Sequence, residues 1–389
     1  MDFGLSKEEQ KIVSEVSAYV DSHASDGLRQ ELADNETCYG GPISREFIKP
    51  FASRGWLVPN WPRQYGGLGS SEVICYLIRD VLAQADIVMA FAGAYMGGPM
   101  ILRDGSEAMK QEFLPRLARG EIEFCLGYTE PGAGSDLMGL KMRARDMGDH
   151  FLVNGQKVFN THAHVADYHW LAVRTDPDVP KHRGISILVV DLDSPGITIR
   201  PLHTMAGSRT NEVYYDDVRV PKDRLLGQMN MGLRYIMGAL DYERMFVYGQ
   251  YENLFNELLA YVKTASIDGR PASQNPLIRQ SMAQMRMELE TCRLLYYQLA
   301  CMLDKGTIPS YQSAMEKMFV TEYAQRLADA ALEILGQFGQ LTQSSIETRL
   351  HGRVEQLYRK AVVETIYGGS SEIMRNIIAV RGLNLPRGL

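Results

Sequence analysis

The spacing of hydrophobic and polar residues divides the chain into a helical part, a strand-rich part and a second helical part. At the start, a capping box from Ser6 to Glu9 opens an amphipathic run that extends to about Ser22. Two further runs with a helical period cover residues 72–85 and 107–119. The first part therefore predicts a helical domain over residues 1–122.

The pattern changes near Glu123, where short β-branched or aromatic segments bounded by turn residues replace the helical period. Ser194-Pro195-Gly196 and Asn154-Gly155 both predict turns between strands. The segments themselves cover residues 151–153, 185–190 and 212–215. This part predicts a β-domain over residues 123–228.

A helical period returns at about Met231 and continues to the end, so residues 229–389 predict a bundle of three or four long helices. The longest run starts at Ser310. Its apolar face is formed by Met315, Met318, Phe319, Tyr323, Leu327, Ala331 and Ile334. The expected fold class is α+β, with the helical and strand-rich parts segregated along the chain.

Composition and charge exclude several classes of protein. The 389 residues carry a formal net charge of -6 and no basic stripe, so a nucleic-acid partner is not expected. No run approaches the ~18 apolar residues that span a bilayer, so no membrane partner is expected either. The five cysteines form no C-x-x-C pair and the chain starts without a signal-peptide pattern, which favours a cytoplasmic location.

Two local clusters invite a chemical interpretation. The spacing of His162, His164 and His169 matches no common metal-ligand pattern, so no metal is predicted. Residues 127–136 (GYTEPGAGSD) concentrate glycine and proline directly after a strand-like run. Such a loop lets backbone N–H groups approach a ligand closely, but it also suits a tight surface turn. The residues alone leave both interpretations open.

Five segments, in order along the whole chain, resemble motifs of the acyl-CoA dehydrogenase family. The loop resembles the family's T-E-P-x-x-G-S-D signature. The other four are residues 155–161 (GQKVFNT), similar to N-G-x-K-x-W-I-T, residues 211–221 (NEVYYDDVRVP), similar to N-E-V-F-F-D-D-V-R-V-P, residues 335–339 (LGQFG), similar to G-G-x-G, and residues 367–373 (YGGSSEI), similar to Y-E-G-T-x-x-I. The resemblance implies the acyl-CoA dehydrogenase fold, with an N-terminal helical domain, a middle β-domain and a C-terminal four-helix bundle.

The resemblance also implies an FAD site. Phe159 stands where an aromatic ring covers the isoalloxazine, and Thr161 matches the threonine whose hydroxyl reaches flavin N5. Ser370 and Glu372 match residues at the adenosine half, and residues 333–337 match a contact from a neighbouring subunit. The positions carried over as cofactor contacts are Leu126, Tyr128, Thr129, Gly134, Ser135, Phe159, Thr161, Glu333, Gly336, Gln337, Ser370 and Glu372.

The implied reaction needs a carboxylate to remove the thioester α-proton, and donors at the thioester oxygen. Many family members place the glutamate directly after the tyrosine of the last motif, where this chain has Gly368. Residues 240–244 (LDYER) match the L-D-x-E-R pattern of relatives resembling isovaleryl- and long-chain acyl-CoA dehydrogenases. Without the resemblance, Glu243 and Arg244 would indicate a solvated charge pair on a helix.

The glycine at 368 together with the glutamate at 243 favours Glu243 as the catalytic base. The backbone N–H at 368 is present whatever the side chain, so a donor to the thioester oxygen can survive the change to glycine. The positions carried over as substrate contacts are Ser135, Asp241, Tyr242, Arg244, Gly368 and Gly369.

One family motif is missing. The family usually has R-x-x-F-G near the start of the bundle and a glutamine eight residues past the phenylalanine, and the arginine contacts the FAD pyrophosphate across a dimer interface. Here the arginine, phenylalanine and glutamine positions hold Ala265, Asp268 and Pro276. This form resembles the active subunits of bacterial steroid side-chain acyl-CoA dehydrogenases, which assemble as α2β2 heterotetramers. Arg270 and Arg279 are the nearby cations.

Three interpretations follow from the resemblance. The first is a competent dehydrogenase in a homo- or heterotetramer, acting on an acyl-CoA substrate and passing electrons to an electron-transfer flavoprotein. The second is a non-catalytic partner subunit, and the third is an oxidase variant of the fold. The sequence does not decide whether the acyl group is straight, branched or a steroid side chain.

Overall fold

The computed structural model describes residues 5–34, 40–89, 91–243, 248–267 and 269–386, and it leaves the side chains of residues 241–243 undescribed. In this part of the chain a helical N-terminal region, a β-domain and a C-terminal helical region follow one another. The α+β class and the three-part fold expected from the sequence are thereby confirmed. The domain boundaries after residues 122 and 228 stay predictions.

The N-terminal helices begin where serine caps predict them. The Ser6 side chain accepts from the Glu9 N–H and the Glu9 carboxylate accepts from the Ser6 N–H, so the capping box is present. Ser71 and Ser106 cap two further helices in the same way. The helices are α1 (Lys7–His23), α2 (Asp26–Ala33), α3 (Pro42–Ser53), α4 (Glu72–Gln84), α5 (Gly98–Asp104) and α6 (Glu107–Ala118), with a π-helical turn at Gly93–Gly97 before α5.

The β-domain is one twisted sheet that packs its apolar face into a separate core. Its strands are β1 (Phe124–Gly127), β2 (Arg143–Asp146), β3 (His150–Lys157), β4 (Tyr168–Arg174), β5 (Ile185–Asp191), β6 (Ile197–His203) and β7 (Arg209–Pro221). The neighbour order is β1-β4-β2-β3-β7-β6, with β5 paired to β4. Strands β1 and β3 do not pair with each other. Both nevertheless end beside the loop of residues 127–136.

The turn predicted at Asn154-Gly155 is wrong. Both residues lie inside β3, where the pairing with β7 shifts register between Val153 and Gly155. Gly155 has φ 142°, and the Asn154 amide bonds the side chain and the backbone N–H of Asp217. An Asn-Gly pair thus supplies a β-bulge here, because the strand continues past it.

The C-terminal region is a helical bundle. Its elements are α7 (Gly232–Glu243), α8 (Gly249–Thr264), the short strands β8 (Ser266–Ile267) and β9 (Arg270–Pro271), and the helices α9 (Pro276–Asp304), α10 (Tyr311–Leu335), α11 (Arg353–Glu364) and α12 (Ser371–Ile377). Helix α10 packs against α8, α9, α11 and α12, so it is enclosed on several sides.

The apolar face predicted for α10 is partly wrong. Tyr323 and Leu327 are fully buried as expected, but Met315 is only partly buried. Glu316 and Lys317 are fully buried instead. A helix enclosed on several sides buries a wider arc than one apolar stripe, and a buried lysine is tolerated where carbonyl oxygens accept from it.

Three hydrophobic clusters form the core, and each is drawn mainly from one part of the chain. The first also takes in residues from β1, β4, β5 and α7, and the second takes in residues from α4. In the described ranges no helix has both the length and the apolar character that a membrane crossing would need.

Candidate active site

The two segments predicted to line a flavin lie together. Strand β1 ends at Gly127 and leads into the loop of residues 127–136, which from here on is called the flavin loop. The Val158 N–H donates to the Thr129 carbonyl at 3.0 Å, and Asn160 Nδ2 donates to the Leu126 carbonyl at 2.8 Å. The chain just after β3 is therefore fastened to the start of the flavin loop.

A buried ion pair fixes the shape of the flavin loop. Lys157 is fully buried, and its Nζ lies 2.8 Å from Glu130 Oε1 and 3.0 Å from the Tyr128 carbonyl oxygen. The Glu130 carboxylate also accepts from the backbone N–H groups of Lys141 and Met142, at 2.7 and 2.9 Å. Burial lowers the pKa of Lys157 to about 8, and the Glu130 charge opposes that fall. This pair is satisfied by internal partners.

Phe159 and Thr161 present their side chains outward from the same edge. Phe159 has a left-handed backbone with φ 60°, and its side chain is 58% exposed. Such a conformation is unfavourable for a residue with a Cβ atom, and an exposed phenyl ring leaves apolar surface in water. Thr161 is exposed as well, with its Oγ1 3.2 Å from Thr210 Oγ1. An aromatic face and a hydroxyl are thus available beside the loop.

The remaining predicted residues of the loop differ in exposure. Gly134 and Ser135 are exposed, and a Cβ placed on Gly134 would meet no atom within 4 Å. The Tyr128 side chain is buried instead, and its hydroxyl accepts from Trp170 Nε1 at 3.0 Å. The Tyr128 ring therefore belongs to the core, and only its backbone borders the loop surface.

A glycine turn follows α11, where the last motif was identified. Gly368 and Gly369 have φ 64° and 105°, conformations that favour glycine. The buried Lys317 Nζ donates to the carbonyl oxygens of Glu364 and Gly369, both at 2.9 Å. A glutamate at 368 would have to adopt a left-handed backbone, which agrees with a base placed elsewhere. The sequence does not mark Lys317, because a lysine outside the predicted apolar stripe is expected to face solvent.

Ser370 and Glu372 begin the helix after that turn. The Ser370 hydroxyl accepts from the Ile373 N–H at 3.4 Å as the N-cap of α12, and Glu372 is exposed. The other predicted flavin contacts in the bundle, Glu333, Gly336 and Gln337, lie at the end of α10 and are exposed. In the described residues no hydrogen bond joins these three to the flavin loop, so their assignment to a neighbouring subunit's flavin stays a prediction.

The predicted base lies at the end of α7. Glu243 is the last residue of this helix, and the side chains of Asp241, Tyr242 and Glu243 lie outside the described structure, as does Arg244. The helix itself is closely packed, because a Cβ on Gly238 would meet Met100 Sδ at 2.9 Å. The geometry of the base therefore stays a prediction.

The segment that replaces the pyrophosphate motif forms a short hairpin. Strands β8 and β9 pair antiparallel, and Arg270 in β9 is exposed. Arg279 is exposed on α9, with its Nη1 bonded to the Ser273 carbonyl at 3.1 Å. Asp268 lies outside the described residues. Both arginines are on the surface, where a second subunit can reach them.

A buried carboxylate links the β-domain to the N-terminal helices. Glu123 accepts from the backbone N–H groups of Gly93 and Phe124. Burial raises the pKa of Glu123 to about 8, and the Asp167 charge adds to the rise. The group anchors the first residue of the π-helical turn. Nothing in the local sequence pattern marks it.

The histidines set aside as metal ligands bond protein groups. His169 is buried, with Nδ1 2.7 Å from the Tyr215 hydroxyl, and burial lowers its pKa to about 3. His164 Nδ1 lies 3.1 Å from Asn211 Nδ2. These contacts fit structural roles.

Comparison with known proteins agrees with this geometry. The family model of the acyl-CoA dehydrogenase N-terminal domain matches residues 6–121, that of the middle domain residues 125–218, and that of the C-terminal domain residues 230–383. Acyl-CoA dehydrogenase FadE29 of Mycobacterium tuberculosis is 35% identical over 100% of this chain and 99% of its own length.

Two solved structures are similar over their full length. The Tcur3481-Tcur3483 steroid ACAD and the ChsE4-ChsE5 complex from Mycobacterium tuberculosis each superpose with a TM-score of 0.91 at 33% identity, covering 100% of both chains. Family models over most of the chain and a relative of this identity together establish the family. The chain is an enzyme of the acyl-CoA dehydrogenase family.

Proposed function

We propose that the enzyme removes two hydrogens from the α and β carbons of an acyl-CoA thioester, yielding the trans-2-enoyl-CoA, with FAD as its cofactor and Glu243 as its base. The observation that carries the proposal is the joining of the flavin loop to residues 158–161 by the hydrogen bonds to Leu126 and Thr129. Two segments far apart in sequence form one edge, as the family motif requires.

The residues at this edge fit a flavin. Phe159 offers an exposed aromatic face in a strained conformation, and Thr161 offers an exposed hydroxyl beside it. The buried Asn160 Oδ1 has no hydrogen-bond partner among the described residues. In this proposal the loop backbone at Thr129, Gly134 and Ser135 holds the flavin and Phe159 covers it. A neighbouring subunit adds its α10 terminus, and Ser370 and Glu372 hold the adenosine half.

Different residues of this chain have different roles in the proposed reaction. Glu243 takes the α-proton, and the backbone N–H at residue 368 donates to the thioester oxygen as negative charge develops there. Bound FAD would supply the hydride acceptor for the β-carbon. Asp241, Tyr242 and Arg244 adjoin the base in sequence, and in this proposal they contact the CoA side, with Ser135 and Gly369 as further contacts. Exclusion of water around Glu243 would raise its pKa toward that of an effective base.

The surface of the bundle supports an oligomer. Helix α11 and the residues after it expose an apolar stripe that a solvated helix would not need. Its members and their exposed fractions are Tyr358 at 49%, Val362 at 55%, Val363 at 38%, Ile366 at 59% and Tyr367 at 41%. In this proposal the stripe is a subunit interface of a homo- or heterotetramer. An electron-transfer flavoprotein accepts the electrons.

The reaction is tested by turnover. Purified enzyme supplied with FAD should oxidise at least one member of a panel of CoA esters when an artificial electron acceptor is present. The product should then have lost two hydrogens. An enzyme that binds FAD but oxidises no ester, alone or with a partner chain, would contradict the proposal and favour a non-catalytic subunit. Rapid reoxidation of the reduced enzyme by air would favour an oxidase.

The assembly is tested by flavin content and native mass. Ala265 replaces the pyrophosphate arginine, and Asp268 and Pro276 replace its aromatic and glutamine neighbours, so this chain alone should bind FAD loosely or at less than one per subunit. A lost charge-assisted contact to phosphate weakens binding roughly ten- to a hundredfold. A partner chain with the intact motif should raise the FAD content to half the sites of an α2β2 assembly. A homo-oligomer with one tightly held FAD per chain would contradict the heteromer.

A further inference from the structure

Arg79 on α4 is a cation whose side chain forms no salt bridge with a described residue. Its guanidinium carbon lies 4.5 Å from the centre of the Tyr95 ring and 5.7 Å from that of Tyr76. Within the ranges that the structure describes, no carboxylate and no hydrogen-bond acceptor contacts its side chain. The residue is partly buried, so its donors are neither fully solvated nor paired. Such a group is unusual in a folded protein, because buried charges normally have partners.

The acidic residues on the same helix are bound elsewhere. Asp80 Oδ2 accepts from the Tyr248 hydroxyl and from Gln84 Nε2, both at 3.1 Å. Burial raises the pKa of Asp80 to about 7, so much of its charge is lost near neutral pH. Glu72 Oε1 accepts from Asn60 Nδ2 at 2.9 Å. The Arg79 charge opposes the rise in the pKa of Glu72 that burial causes. Within the described residues, however, no salt bridge joins Arg79 to Glu72 or Asp80.

Two tyrosine rings, those of Tyr76 and Tyr95, lie next to the guanidinium. The positive charge of Arg79 opposes the rise in pKa that burial causes at the hydroxyls of Tyr76, Tyr95 and Tyr296. Ring faces attract a cation, but they accept none of the five guanidinium N–H donors. A carboxylate is the group whose two oxygens match this fork of donors.

The position of Tyr95 relates this cluster to the proposed active site. Tyr95 belongs to the π-helical turn, which packs against α7, the helix that ends at Glu243. Its hydroxyl donates to no group in the described part of the chain. Arg79 thus lies one element away from the helix of the proposed base.

A second group of aromatic rings leads from the start of α8 towards Arg79. Tyr248 is the first described residue after the end of α7, and its ring centre lies 5.6 Å from that of Tyr296. The Tyr296 ring lies 4.8 Å from that of Tyr76, over which Arg79 is placed. Aromatic surface therefore connects the α7–α8 junction with the guanidinium.

We propose that Arg79, with the Tyr95 hydroxyl, binds a carboxylate at the far end of the acyl group. The substrate class is then the CoA monothioesters of dicarboxylic acids, including bulky acyl groups with a second carboxylate. This inference rests on the proposed dehydrogenation. To that reaction it adds a binding site for a carboxylate at the end of the acyl group remote from the thioester.

The first test needs no variant. The wild-type enzyme is given pairs of CoA esters of equal chain length, one ending in a methyl group and one in a carboxylate, over a series of lengths. At the length that reaches Arg79, kcat/KM should favour the carboxylate roughly tenfold or more. No preference for the carboxylate at any length would overturn the inference.

The second test uses Arg79→Met with a matched control. The ratio of kcat/KM values for the best pair should fall roughly ten- to a hundredfold in Arg79→Met. Arg116→Met is the control, because Arg116 also lies over a tyrosine, 6.0 Å from the Tyr168 ring, but on α6. Its ratio should match the wild type. A carboxylate preference that survives in Arg79→Met would overturn the assignment to this residue, and a preference for keto- or hydroxyl-ended esters would overturn the carboxylate.

Binding separates this inference from the proposed reaction. Calorimetry with unreactive thioether analogues, ending in methyl or carboxylate, should show an affinity difference in the wild type that Arg79→Met removes. If no ester is oxidised yet this difference is found, the proposed reaction fails and the site stands. If esters are oxidised and the analogues bind equally, the site fails and the reaction stands. Melting curves confirm that each variant is folded, and Arg79→Lys replaces Arg79→Met if the latter is not.

Discussion

Lys157 and Arg79 are both cations held away from bulk water, but Lys157 has hydrogen-bond acceptors around it and Arg79 has aromatic rings. Lys157 sits at the edge of the β-domain with Glu130 at 2.8 Å and a carbonyl oxygen at 3.0 Å. Arg79 sits between helices with tyrosine rings as neighbours and no acceptor among the described residues. A cation that its own chain satisfies holds the structure together, whereas one left unsatisfied is available to a ligand.

The largest expected effect is the loss of stability when Lys157, the cation with internal partners, is replaced. Lys157→Met leaves the Glu130 carboxylate buried without its cation, so the free energy of unfolding should fall by about 3–5 kcal/mol. Urea unfolding measures the change. Lys181→Met is the control, since Lys181 pairs with Asp136 of the same loop at 3.1 Å but both side chains are mostly exposed, and it should lose less than about 1 kcal/mol. Equal losses in the two variants would contradict a structural role for the buried pair.

Glu123 extends the comparison to a buried carboxylate without a cation. Its pKa is raised from 4.5 to about 8, so the folded state retains a proton that the unfolded state releases. The stabilisation from that proton is present at acidic pH and is lost as pH rises toward 8. Relative to the wild type, Glu123→Gln should therefore gain stability with rising pH.

The gain should approach at most roughly 5 kcal/mol, the equivalent of a pKa difference of about 3.5 units. Urea unfolding across this pH range gives the difference. Glu121→Gln, an exposed carboxylate paired with Arg119, should show no such gain. A constant difference between wild type and Glu123→Gln across the range would contradict the raised pKa.

Thr161 tests whether the edge held by Lys157 faces the flavin. Thr161→Val removes a hydroxyl and keeps the shape, so flavin reduction should slow by the equivalent of about 1 kcal/mol. Stopped-flow absorbance measures the rate. Thr210→Val is the control, because the Thr210 hydroxyl contacts Thr161 but is buried. An unchanged flavin spectrum and reduction rate in Thr161→Val would mean that the hydroxyl does not reach the flavin.

The smallest effect is expected for the unsatisfied cation. Arg79→Met removes contacts with ring faces but no ion pair and no hydrogen bond, so unfolding free energy should change by no more than about 1 kcal/mol. The same urea experiment used for Lys157 measures it. A loss as large as that of Lys157→Met would show that Arg79 is structural, and would remove the contrast between the two cations.

Local sequence patterns predicted the helices and strands, but they did not predict contacts between residues far apart in the chain. The serine caps, the strand segments and the order of the motifs needed only neighbouring residues. The Asn154-Gly155 pair was taken for a turn because the same two residues suit a hairpin and a bulge, and only the partner strand decides between them. The width of the buried face of α10 likewise depends on how many helices surround it.

The charged groups of the site show the same limit. Thr161 and Phe159 were located by their motif. The Lys157–Glu130 ion pair, in contrast, joins residues 27 positions apart, and the hydrogen bond from Lys317 to the Gly369 carbonyl joins residues 52 positions apart. No local pattern marks Arg79, because the absence of a salt-bridge partner is a property of the packed structure. The sequence therefore located the motif segments, but it did not reveal the buried charged groups that hold them in place.

The most direct test of the account is the half-reaction of Glu243→Gln. FAD-loaded wild-type enzyme and variant are mixed without oxygen with a CoA ester that the wild type oxidises, and bleaching of the flavin is followed. Glutamine matches the size of glutamate but accepts no proton, so the rate should fall at least roughly a hundredfold while flavin binding is retained. A variant that keeps more than about a tenth of the wild-type rate, a barrier change under ~1.4 kcal/mol, would contradict Glu243 as the base.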